Sequence, residues 1–218
     1  MYGVPVSICD CKIANHKSCA LIVFLALPFV FACNNSSNDS VQKADSANES
    51  KSDTSTSMNT TDTTNKMSTG TTMSVDQSTS EFMTKVSDVG MTEVKLGQMA
   101  QDKATSQRVK DFGAMMVKDH TAAGDELKNM ARQKNVTLPE TMSNDHQKKT
   151  DDLNKKTGKD FDKAYIKAMV DGHQSAVSDF EKASKNTKDA DVKAWVDKTL
   201  PTLRMHLDSA KAIQKSLK

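Results

Sequence analysis

Residues 109–120 read VKDFGAMMVKDH, and their spacing decides the fold. Val109, Phe112, Met116 and His120 recur at steps of three and four, which places them on one face of a helix. Residues 161–173, FDKAYIKAMVDGH, repeat the pattern at a constant offset. Phe112, Met116, Val117, His120 and Ala123 correspond to Tyr165, Met169, Val170, His173 and Ala176, with Met-Val-x-x-His shared.

Outward from these two segments the same period continues. A first helix is expected from a capping box at Ser78 and Glu81 to about Lys103, with Phe82, Val86, Val89, Leu96 and Ala100 inward. The second starts near Thr105 and extends the stripe through Leu127 and Met130. Pro139 is expected to open a short crossover helix ending near Gly158. Asp160 is the expected N-cap of the third long helix, with Phe161, Phe180 and Ala183 also inward. The fourth runs from about Asp189 with Val192, Val196, Thr199, Leu203, Ala210, Ile213 and Leu217, and Pro201 inside it should kink it. Only 8 glycines and 4 prolines in 218 residues leave such helices uninterrupted. The expected fold is all-α: four long amphipathic helices and one short crossover, over residues 78–218. A domain of about 140 residues buries roughly two-thirds of its unfolded surface, enough to be stable alone.

Upstream the composition changes twice. Residues 34–77 are dominated by Ser, Thr, Asn, Asp and Lys, which cannot bury enough apolar surface to offset chain entropy. They are expected to form a disordered tether spanning roughly 35–40 Å. Residues 1–33 contain ALIVFLALPFVFA (20–32) after Lys12, His16 and Lys17. About 13 apolar residues are too few for a bilayer span, which needs about 20, and the pattern reads as an export signal. Val30-Phe31-Ala32-Cys33 resembles a bacterial lipobox, although Phe31 is bulkier than usual there, so Cys33 is the expected lipidation site. The other cysteines, Cys9, Cys11 and Cys19, lie before the cut, which leaves no disulfide for the mature chain. The expected partner is a membrane, through that anchor. A net charge of +2 without Lys/Arg clustering argues against nucleic acid.

Each long stripe is interrupted once, by Glu93, His120, His173 and His206 respectively. Unpaired in a bundle interior, each would cost several kcal/mol, so they are expected to meet each other, water or a metal. With the second and third long helices parallel, His120 and His173 share a layer roughly 7–8 Å from Glu93 and His206, and side chains lean across that gap. Met116 and Met169 fall one turn earlier.

Two readings follow. One is a structural or interaction module in which Glu93 and the histidines form a buried polar network that sets helix register. The other is a metal site of Glu93, His120, His173 and His206 with Met116 or Met169 as soft ligands, suited to copper, zinc or iron. Metal-free enzyme chemistry has little support, since no nucleophile spacing or Gly-rich phosphate loop is present. His146 is expected to be solvated, and Asp119 and Asp171 to face outward or to support the histidines from behind.

EVKLGQMA (93–100), VKDFGAMMVKDH, LPETM (138–142), FDKAYIKAMVDGH and TLPTLRMHLDSA (199–210) resemble the bacterial family called domain of unknown function 4142. The resemblance implies an exported or outer-membrane protein with a ferritin-like up-down four-helix bundle facing the periplasm or the surface. It implies no activity. Ferritin-type di-iron sites carry Glu-x-x-His, whereas Val117 and Val170 stand three residues before His120 and His173.

Overall fold

A computed structural model describes residues 39–54 and 75–217. Every element among them is helical: α1 (Ser40–Thr54), α2 (Gln77–Lys103), α3 (Gln107–Gln133), α4 (Asn144–Asn154), α5 (Gly158–Asn186) and α6 (Ala190–Ser216). None is long and apolar enough to cross a membrane. The expected leader, its Cys33 and much of the expected tether lie outside the described residues.

The four long helices form two hairpins, α2–α3 and α5–α6, packed against each other. Cross-helix pairs give the directions. Glu93 meets His120 while Gly97 meets Gly113, so α2 and α3 are antiparallel. Lys85–Asp179 and Glu93–His173 do the same for α2 and α5, and Lys198–Glu126 and His206–Asp119 for α6 and α3. Hence α3 and α5 run parallel, as the helical crossover requires. The α2–α3 contact is close because both sides are glycine. A Cβ on Gly97 would stand 2.8 Å from the Gly113 carbonyl oxygen, and one on Gly113 2.7 Å from the Gly97 carbonyl oxygen.

Two apolar clusters fill the interior. Leu96, Phe112, Met116, Phe161, Tyr165, Met169, Ala210 and Ile213 belong to one; Met83, Leu127, Phe180, Val192, Trp195, Val196 and Leu203 to the other. On every long helix the ionisable interruption falls between them, so the two clusters sandwich a polar layer.

Helix boundaries differ from the sequence reading where side chains compete for the backbone. Asp76 caps α2, accepting from the Thr79 N–H at 2.8 Å, while Ser78 donates to Asp76, so the expected Ser78–Glu81 box does not form. Thr157, not Asp160, stands at the N-cap of α5, one residue before Gly158 with φ +59°. Pro139 does not open the crossover helix, which starts at Asn144 with Ser143 as its cap. The preceding loop gives its backbone N–H groups to side chains instead: Thr137 to Asn48, Glu140 and Thr141 to Ser40, Ser143 to Asp88. Pro201 lies within continuous α6, where its ring supplies no N–H to the Asp197 carbonyl four residues earlier.

The largest correction is α1. Its residues fall inside the expected disordered tether, yet they form a helix docked on α2 and the 134–144 loop. Apolar burial is slight, with Ala44 covered. Hydrogen bonds hold it instead. Asn48 donates to the Thr137 carbonyl at 2.9 Å and accepts from its N–H at 2.7 Å, and Lys51 reaches the Asn135 carbonyl. A composition argument that counts apolar surface has no access to this kind of docking.

Candidate metal centre

The polar layer draws one side chain from each long helix. Glu93 sits on α2 and is 4% exposed; His173 on α5 and His206 on α6 are fully buried. The His120 side chain on α3 is 9% exposed. The expected gap between two layers is closed by side-chain lean. Ring centroids are 5.6 Å apart for His120–His173, 5.3 Å for His120–His206 and 5.4 Å for His173–His206.

Each imidazole is held from outside by one nitrogen. His120 Nδ1 lies 3.0 Å from Glu93 Oε2. His173 Nδ1 lies 3.0 Å from the Met169 carbonyl oxygen and 3.4 Å from Glu93 Oε1. His206 Nε2 lies 2.9 Å from Asp119 Oδ2. The remaining nitrogens, His120 Nε2, His173 Nε2 and His206 Nδ1, are buried and have no hydrogen-bond partner among the described residues. One nitrogen from each ring can be chosen so that all three lie within 4.8 Å of one another, a grouping that can hold a metal ion.

Electrostatics favour neutral groups in this layer. Burial pushes the Glu93 carboxyl up to about 8. Burial holds His120 down at about 3, with His173 and His206 adding to the effect. His173 is held at about 4, again by burial and then by His206, against the opposing Met169 carbonyl. The Glu93–His120 distance is that of an ion pair, but burial disfavours the charged form of both partners. Burial also raises the Tyr165 phenol, and its hydroxyl lacks a partner among the described residues.

The methionines divide. Met116 is buried in the apolar cluster against the Gly97 side of α2. Met169 is buried too, and with Glu93, His120 and His206 it lines a cavity of about 1170 Å³.

The two aspartates that neighbour the histidines in sequence take different roles. Asp119 is a support, on His206, while Asp171 faces solvent beside Lys167. Only the helical offset of one residue from His120 hinted at Asp119. His146 is not merely solvated: its Nδ1 lies 2.8 Å from Oδ2 of buried Asp88. Burial pushes the Asp88 carboxyl upward, but hydrogen bonds from His146 and the Ser143 N–H outweigh it and hold it below the ordinary range.

A profile described as a domain of unknown function (DUF4142) matches residues 63–213, and the chain belongs to that family. No curated protein matches it. Among solved structures it is similar to a DUF305 fragment from Deinococcus radiodurans, with TM-score 0.59 and 10% identity over 66% of this chain and 99% of that one. It is also similar to CopM in the Cu(II)-bound form, with TM-score 0.56 and 18% identity over 64% and 97% of the two chains. CopM in the Cu(I)-bound form gives TM-score 0.55 and 19% identity over 63% and 96%. At these identities the likeness is one of fold.

Proposed function

We propose that this member of the DUF4142 family is a metal-binding protein of the bacterial envelope that holds a transition-metal ion, copper first, on His120, His173 and His206. One observation carries the reading: three imidazoles each have one nitrogen engaged from behind and the other buried and unpartnered. Metal-ligating histidines are ordinarily built this way, because the outer hydrogen bond selects the tautomer and aims the inner lone pair. Leaving three buried nitrogens unsatisfied costs about 1–3 kcal/mol each, a cost that an ion would remove.

Glu93 and Asp119 act as supports in this reading rather than as ligands. Copper is preferred over iron because the carboxylates of a di-iron bundle are missing at Val117 and Val170. The fold likeness to a protein solved with copper supports the same choice. The bundle is of the ferritin-like kind, with its long helices running up-down-down-up through one crossover rather than simply up-down. The Cys33 lipobox would tether it to the outer membrane, with the domain in the periplasm or at the surface.

A second reading keeps the cluster as a polar network that sets register, and the bridging of His120 and His173 by Glu93 favours it. Elemental analysis of the tag-free chain after exposure to copper, zinc and iron separates the two. One ion per chain, lost in His120→Ala, His173→Ala and His206→Ala while helicity persists, supports the metal site. Protein that takes up none of the three ions eliminates it and leaves the network.

A further inference from the structure

We infer that the His120–His173–His206 cluster selects monovalent copper over divalent ions; this rests on the metal-binding reading above. The donor set is the first reason. Among the described residues the group contains three imidazole nitrogens and no fourth nitrogen, thiolate or carboxylate. The two nearest carboxylates are committed to the outer ring nitrogens, Glu93 to His120 and His173, Asp119 to His206.

Solvent access is the second. Glu93, His120 and His206 line the cavity and His173 does not, yet the inner nitrogens of all three rings are buried. Water is therefore poorly placed to complete a coordination sphere. Zn²⁺ takes four ligands and Cu²⁺ a tetragonal set, so each would be short of donors. Cu⁺, with a filled d shell, is satisfied by three. The rings are also held against recruiting others: hydrogen bonds pin His173 and His206, and His120 lies against Glu93.

Charge is the third. The cost of carrying an ion out of water rises with the square of its charge, so a divalent ion meets about four times the penalty of a monovalent one. An imidazole that coordinates through its lone pair brings no charge with which to offset it.

The test compares ions on the unaltered, tag-free full chain under anaerobic conditions. Cu⁺ is titrated against a chromophoric Cu⁺ chelator and Zn²⁺ against a chromophoric zinc chelator. Expected is one Cu⁺ per chain, bound about 100-fold more tightly than Zn²⁺, and weakened about tenfold or more in His173→Asn. Zn²⁺ binding as tight as Cu⁺, and lost in His173→Asn, would overturn the selectivity while preserving the metal reading. Cu⁺ uptake unchanged by His120→Asn, His173→Asn and His206→Asn in proteins of native helicity would overturn the site. Absence of any ion would overturn both. Because the ion comparison needs no variant, a misfolded mutant leaves it intact.

Discussion

Glu93 Oε2 lies 3.0 Å from His120 Nδ1, while its other oxygen lies 3.4 Å from His173 Nδ1. One carboxyl on α2 thus orients a ring on α3 and a ring on α5. Glu93→Gln keeps the shape but replaces one of the two carboxyl oxygens that orient these rings. We expect metal affinity to fall about 10–100-fold with helicity unchanged, measured by chelator competition. Unaltered affinity would reduce Glu93 to a packing residue.

The same group governs pH dependence in the metal-free chain. Folded His120 and His173 lie at about 3 and 4, below the ordinary 6.5, so their neutral state stabilises the fold above pH 6.5 and that stability is lost as pH falls toward their folded values. Folded Glu93 at about 8 lies above the ordinary 4.5, so its stability is complete below pH 4.5 and lost as pH rises through 8. Between pH 4.5 and 6.5 the unfolded chain gains two protons on the histidines and the folded chain one on Glu93. The net one proton gives a rise of about 1.4 kcal/mol per unit. Urea titrations across pH 4.5–8 should show a maximum near 6.5, and Glu93→Gln should abolish the falling limb above it.

Gly97 and Gly113 set the spacing that brings Glu93 to His120. Alanine at either position drives a methyl against a backbone carbonyl, at 2.8 or 2.7 Å. Each substitution should cost about 1–3 kcal/mol in chemical denaturation. Gly124 provides the contrast, since a Cβ there meets nothing within 4 Å. Gly124→Ala should stabilise by up to about 1 kcal/mol through helix propensity. Equal effects at all three positions would refute the close-packing account.

Asp162 on α5 is buried and closes the α2–α3 turn, accepting from the Thr105 N–H at 3.0 Å, the Thr105 hydroxyl at 2.6 Å and the Ser106 N–H at 2.9 Å. Its replacement by alanine strands the two backbone donors. A loss of about 3 kcal/mol is expected, read as a lowered urea midpoint. Asp162→Asn, which keeps an acceptor, should lose less.

Helix α1 is held by hydrogen bonds rather than by apolar burial, and Asn48 makes two of them. Asn48→Ala should release α1 while leaving the four long helices intact. Hydrogen exchange would then show lost protection across 40–54 and in the 134–144 loop, with the interior of α3 and α5 unchanged. Protection retained in α1 would mean that the bonds of Ser40, Asp45 and Lys51 suffice.

The helices and the four interruptions were legible because they depend on local period alone. A stripe such as Val109, Phe112, Met116 buries itself whatever it meets, and a histidine in that stripe must go inside with it. Capping was less legible: Asp76 and Ser78 both have the chemistry, and only the path of the chain chose between them. The loop at Pro139 and the docking of α1 were not legible at all, since they depend on hydrogen bonds between residues about 90–100 positions apart.

From sequence alone came an all-helical domain and the set Glu93, His120, His173 and His206 directed at its interior. Tertiary structure alone decided that Asp119 rather than Asp171 supports a histidine, that Glu93 bridges two rings, and which ring nitrogen stays free. The reason is range. Helical period is set by neighbours three and four residues away, whereas the orientation of an imidazole is set by whichever group a different helix brings to its other nitrogen.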